Sequence, residues 1–153
     1  MKLRLLCVAV FLAACGVPVS AQVRQRHPAT SVRGPSPGRP PGVFETVFVL
    51  PNDLRTGNCH MQNAVLVLRS DGTGHFQAQT RTDFTRSKDI WHLAFALIDN
   101  AGNVLSTVQM RDSPPMDSPN AVPASFYYSY AYDFAFDHNF FNILSFVDSI
   151  SSC

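Results

Sequence analysis

Glutamate occurs once, at Glu45, in a chain of 153 residues. A paired-glutamate glycosidase site is therefore excluded, and any pair of carboxylates must be built from aspartates. The sequence also lacks a G-x-S-x-G elbow, an H-E-x-x-H pair, a Gly-rich phosphate loop and a C-x-x-C motif. Their absence removes the local signatures of the corresponding catalytic chemistries. Long apolar runs are missing too: the run from Leu5 to Ala14 falls short of the roughly 20 residues that span a bilayer. Cysteine is sparse, with four residues in all, and Cys7 and Cys15 lie in the first 21 positions.

Those first 21 residues have a basic start, a short apolar middle and small residues at Val19-Ser20-Ala21. That is the layout of a secretory signal. A second cleavage reading competes, because Leu12-Ala13-Ala14-Cys15-Gly16 resembles the lipobox of bacterial lipoproteins, which would remove residues 1–14 and lipidate Cys15. Either way the chain is expected to be exported: secreted, periplasmic, or anchored to a membrane through Cys15 alone. Residues 22–42 carry five prolines, four arginines and no acid, a composition that predicts a flexible Pro/Arg-rich linker. Residues 43–153 hold six basic and eleven acidic side chains, a net charge of −5. An acidic body argues against nucleic acid as a partner.

From Val43 the pattern becomes short β-branched and aromatic runs divided by turn residues, which predicts strands. Residues 43–50 and 64–70 form two such runs, and Asp71-Gly72 is a hairpin signal leading into T-G-H-F-Q-A-Q-T. Residues 90–99 are apolar on both faces and predict a covered, central strand. Asn100-Ala101-Gly102-Asn103 turns the chain into V-L-S-T-V-Q-M, and residues 111–123, with four prolines, make one long loop. Asp137 is placed to cap a short helical turn. Residues 143–152 suit either a strand or a helix by spacing, and their serines favour the strand. The expected fold is all-β, an antiparallel sandwich or small barrel of about seven strands with at most one short helix. Cys59 and Cys153, the two cysteines left in this domain, are expected to pair as a disulfide in an oxidising compartment. His60 beside Cys59 raises a metal site as a rival, but no second His follows at ligand spacing. No metal or cofactor is expected.

The stretch S-F-Y-Y-S-Y-A-Y-D-F-A-F-D, residues 125–137, puts an aromatic at every even position from Phe126 to Phe136. On a strand these side chains share one face. Exposing six rings would forfeit roughly 1.5–3 kcal/mol each, so the ladder is read as core. Its tyrosines, Tyr128, Tyr130 and Tyr132, carry hydroxyls suited to a core edge or a groove, where they would stack on a ligand. His75, Gln77 and Gln79 form a polar row on the opposite side of their strand from Phe76, Ala78 and Thr80. His92 lies among apolar neighbours, as a satisfied core histidine or a pocket ligand. Asp133, Asp137 and His138 are the acid/base candidates for a hydrolase reading, against plain roles as strand-end, cap and turn residues.

Gly57-Asn58-Cys59, Asp71-Gly72-Thr73 with Phe76 and Ala78, then Trp91, Asp99, Gly102 and Cys153 together resemble a group of small secreted bacterial proteins of unknown function. The resemblance spans residues 44–153 and departs at Asn58, where the group carries Asp. It implies a compact β fold with a disulfide and no activity. The functional expectation is an exported, non-enzymatic binding module for a carbohydrate or small apolar molecule, through Tyr128, Tyr130, Tyr132, His75, Gln77, Gln79 and His92. The alternatives are an envelope accessory or protein-interaction (inhibitor) domain and a hydrolase.

Overall fold

Period-two alternation of apolar and polar side chains sets the architecture. A computed structural model describes residues 22–34, 42–83, 88–117 and 126–153. Among these residues there are ten strands: β1 (Val23–Pro28), β2 (Ser31–Arg33), β3 (Glu45–Val49), β4 (Leu54–Thr56), β5 (Cys59–Arg69), β6 (Thr73–Thr82), β7 (His92–Asp99), β8 (Val104–Gln109), β9 (Tyr128–Ala135) and β10 (Leu144–Ser152). One 3₁₀ turn, His138–Phe140, is capped by Asp137, whose side chain accepts from the Asn139 amide. The strands form two antiparallel sheets, ordered β1-β10-β7-β8 and β2-β3-β5-β6-β9, with β4 added to β5. Neither sheet closes on itself, so the sandwich alternative holds and the barrel does not.

The core lies between the sheets. Phe48, Met61, Leu66, Leu68 and Phe76 from one sheet meet Leu93, Phe95, Leu97 and Val147 from the other. Phe76 and Phe95 join across the gap with ring centroids 5.4 Å apart. Trp91, just before β7, is fully buried beside them. Strand β7 is covered on both faces, as its two-sided apolar pattern predicts, and sits between β10 and β8. The Asp71-Gly72 hairpin closes as expected: Gly72 takes φ +83°, and a Cβ there would lie 2.8 Å from the Phe136 carbonyl oxygen. Asp71 Oδ1 accepts from the Thr73 amide and hydroxyl at 3.0 and 2.7 Å. Residues 144–152 are a strand, not a helix.

The linker expectation is corrected at its start. Residues 23–28 pair with β10 from Val23↔Ser151 to Pro28↔Phe146, and residues 31–33 pair with β3. Val23, Gln25 and His27 face inward while Arg24 and Arg26 face outward, a strand alternation that the prolines further along conceal. His27 is buried, with Nε2 2.9 Å from Ser149 Oγ. Burial lowers its pKa against the opposing pull of Asp148. On the outer face Arg24 Nε donates to Asp148 Oδ2 at 2.8 Å and Arg26 Nε to Oδ1 at 2.9 Å. Burial pushes the Asp148 carboxyl up, but the hydrogen bonds and charges of Arg26 and Arg24 outweigh it and hold the group below its ordinary range. Residues 1–21, including Cys15, and residues 35–41 lie outside the described residues.

Candidate functional site along strand β9

Strand β9 is the last strand of its sheet, and two concavities meet across it. The smaller, about 280 Å³, is lined by Asn63, Gln77, Ala78, Gln79, Ser129, Tyr130 and Ala131. The larger, about 640 Å³, is lined by Arg111, Asp112, Ser113, Pro114 and Pro115 together with the same Ser129, Tyr130 and Ala131. The two cavities share three lining residues, so they adjoin along the strand. The lining follows from register. Gln77 and Gln79 on β6 stand opposite Ala131 and Ser129 on β9, whose small side chains leave the space open. Strand β5 contributes through a bulge: its pairing with β6 slips between Gln62 and Val65, where Asn63 takes φ +53°. Bulges re-aim side chains. Here the bulge brings two amides onto one acceptor, because Gln62 Nε2 and Asn63 Nδ2 both donate to Gln79 Oε1, at 3.1 and 3.0 Å.

The ladder divides its labour. Tyr130 is only 2 % exposed, packs edge-on against Phe76 and donates its hydroxyl to the Arg111 carbonyl. Burial, then the nearby Asp112 and Tyr132, push its pKa far up. The Tyr128 hydroxyl donates to Asp117 Oδ1 at 3.0 Å. Tyr132, Phe134 and Phe136 are partly buried against the core, while Phe126 is 66 % exposed and touches Tyr128 edge-on at 5.6 Å. The tyrosine hydroxyls thus strap residues 111–117 to the sheet. Of the three candidate tyrosines, only Tyr130 borders the two cavities.

The remaining candidates are placed as follows. His75, on the same outer face as Gln77 and Gln79, has Nδ1 2.7 Å from Asp133 Oδ1. His92 is exposed rather than buried in the core, because it opens β7 where the strand leaves the sandwich. Its Nδ1 lies 2.7 Å from Oδ1 of Asp112, a residue of the larger cavity. Asp133, Asp137 and His138 are not drawn together. Asp133 engages His75, Asp137 caps the 3₁₀ turn, and His138 Nδ1 is 4.0 Å from Asp137 Oδ1. None of the three lines either cavity.

A second cluster has no signature in the sequence. His60, 2 % exposed, has Nδ1 2.6 Å from Asp53 Oδ1 and Nε2 2.9 Å from Asp83 Oδ2. Cross-strand pairing sets Arg55 and Arg81 on either side of it. The hydrogen bond to His60 is the largest influence lowering the pKa of both Asp53 and Asp83. Strand alternation sends Cys59 the other way, into the core, where it is bonded to Cys153 with Cα atoms 6.2 Å apart. His60 therefore does not join Cys59 around a metal.

Comparison with known proteins returned no matching curated protein and no matching solved structure. A family of unknown function, DUF6294, matches over residues 65–153, from the second half of β5 through β10. That span is more than half of the chain, and the chain belongs to this family.

Proposed function

We propose that the protein is an exported, non-enzymatic binding module whose ligand is a carbohydrate held in the groove along β9. The observation that carries this reading is the pair of adjoining cavities sharing Ser129, Tyr130 and Ala131, with side-chain amides on one flank and a tyrosine-strapped loop on the other. Asn63, Gln77, Gln79 and Ser129 offer donors and acceptors together, which suits sugar hydroxyls better than a purely apolar molecule. Exposed Phe126, beside Tyr128, supplies an aromatic face near the start of the strand. Export is supported by the layout of residues 1–21, with Cys15 as the alternative lipid-bearing residue. The resemblance to small secreted bacterial proteins points the same way.

A glycan and metabolite screen on the folded protein tests the proposal. A hit that weakens at least about tenfold in Gln77→Ala/Gln79→Ala, with folding unchanged, supports it. A folded protein that binds nothing in the screen sinks it. A second reading, a protein-contact module, is favoured by the rigid presentation of Pro114 and Pro115 on the strapped loop. It is distinguished by binding that survives both glutamine substitutions and fails when Pro114 and Pro115 are replaced.

A further inference from the structure

Three metal-ligating side chains converge at the disulfide. The donor atoms of Cys59, Cys153 and Asp89 all lie within 4.8 Å of one another. Cys59 is fully buried, whereas Asp89 and Cys153 are partly exposed and open the cluster to solvent. Thr82 Oγ1 donates to Asp89 Oδ2 at 2.5 Å, so the carboxylate is held in place by a neighbour outside the trio. Such outer partners orient ligands in metal sites. Asp89 is also fixed through its backbone, which exchanges hydrogen bonds with Met116 at 2.9 and 2.8 Å.

We infer that the reduced protein binds one divalent, thiolate-seeking cation, of the Zn²⁺ class, through Cys59, Cys153 and Asp89. This inference stands apart from the groove on β9 and does not depend on it. Reduction places two thiols beside a carboxylate, and ionising both would gather three negative charges in a partly buried space. A divalent cation removes that repulsion. Zinc bonds of about 2.3 Å to sulfur and 2.0–2.2 Å to oxygen place tetrahedral ligands about 3.5–3.8 Å apart, a separation the two sulfurs take up only once the disulfide is opened. Cα atoms 6.2 Å apart allow the two sulfurs to open to that separation by side-chain rotation. Asp89 then supplies the oxygen ligand, and a water completes four-coordination.

The redox step balances with a phosphine as reductant. The phosphine and one water convert the disulfide to two thiols, and the phosphine leaves as its oxide. The cation then displaces both thiol protons and forms two metal–sulfur bonds and one metal–oxygen bond. Oxidised protein has no thiolate to offer, so the disulfide and the metal exclude each other, and the site reports the redox state of its surroundings.

Cobalt(II) added to the full chain after phosphine reduction tests the inference, with circular dichroism recorded in parallel. The expected result is one cobalt per chain, a thiolate-to-cobalt charge-transfer band, displacement by zinc, and no band before reduction. Asp89→Asn is expected to weaken cobalt binding at least tenfold, and Cys59→Ser to abolish the band. The inference is overturned if the reduced chain keeps its strand signal yet shows no band. It is equally overturned if the chain is unfolded with and without cobalt, or if Asp89→Asn binds as tightly as the parent.

Discussion

Replacing Asp148 by Asn removes the charge that pairs β10 with the two arginines of β1. The carboxylate is 4 % exposed and accepts hydrogen bonds from Arg24 and Arg26 at 2.8 and 2.9 Å. A charge-assisted hydrogen bond in a protein contributes about 1.5–3 kcal/mol. Both guanidinium groups keep about half their surface in water, and screening reduces such pairs toward 1 kcal/mol or less. The amide still accepts one bond, and the freed arginine turns to solvent. The expected loss is therefore about 1–2 kcal/mol, or roughly 1 M in urea midpoint for a domain of this size. Trp91, the single tryptophan and fully buried, reports unfolding by its fluorescence. Arg24→Ala with Arg26→Ala is expected to cost more than Asp148→Asn, because it leaves the carboxylate charge without either donor, whereas Asn removes the charge itself. The arginines hold the Asp148 pKa below its usual 3.8. The sign is that of a depressed carboxylate: the stabilisation is present above the unfolded pKa and lost as pH falls through the folded one. The difference between parent and Asp148→Asn should accordingly be full at neutral pH and shrink in strongly acidic solution. The reasoning is refuted if the double arginine variant is no less stable than Asp148→Asn, or if the Asp148→Asn difference persists undiminished in acid.

Three further outcomes are expected. Opening the Cys59–Cys153 bond, which spans a separation of 94 residues, should cost up to ~4.7 kcal/mol by loop entropy, and a loss below about 1 kcal/mol in urea titration would show that the closed loop is not what stabilises the domain. Tyr130→Phe removes the hydroxyl bond to the Arg111 carbonyl and should cost about 0.5–1.5 kcal/mol, with faster proteolysis within residues 111–117; unchanged cleavage would mean that the hydroxyl does not strap the loop. Gly72→Ala meets both a positive φ and the Phe136 oxygen, so a loss of at least about 1 kcal/mol is expected, and a neutral thermal melt would contradict the tight hairpin.

Strands whose alternation stands alone are readable from the sequence: β6, β7 and β9 follow directly from His75–Thr80, Trp91–Ile98 and the aromatic ladder. The tail that forms β10 also suits a helix by spacing, and only its serines favour the strand. β1 is hidden for a compositional reason. V-R-Q-R-H alternates cleanly, but the prolines from Pro28 onward dominate any window that includes it. The groove is half legible. Gln77 and Gln79 lie on the polar side of an obvious strand, and Asn63 is recruited only because a bulge in β5 turns it toward Gln79. Arg111–Pro115 come from a loop docked by two tyrosine hydroxyls and by backbone hydrogen bonds of Ser113 to Trp91 and of Met116 to Asp89. The His60 cluster depends on register alone: Arg55 and Arg81 become its neighbours only when β4 and β6 pair with β5.

The place of β10 between β1 and β7 governs the order in which the molecule can be assembled. Arg24 and Asp148, which meet across β1 and β10, are 124 positions apart, so the early strand β1 must wait for the late strand β10 before it has a neighbour in its sheet. Distant pairings of this kind slow folding, because closing the intervening loop costs entropy before any contact is gained.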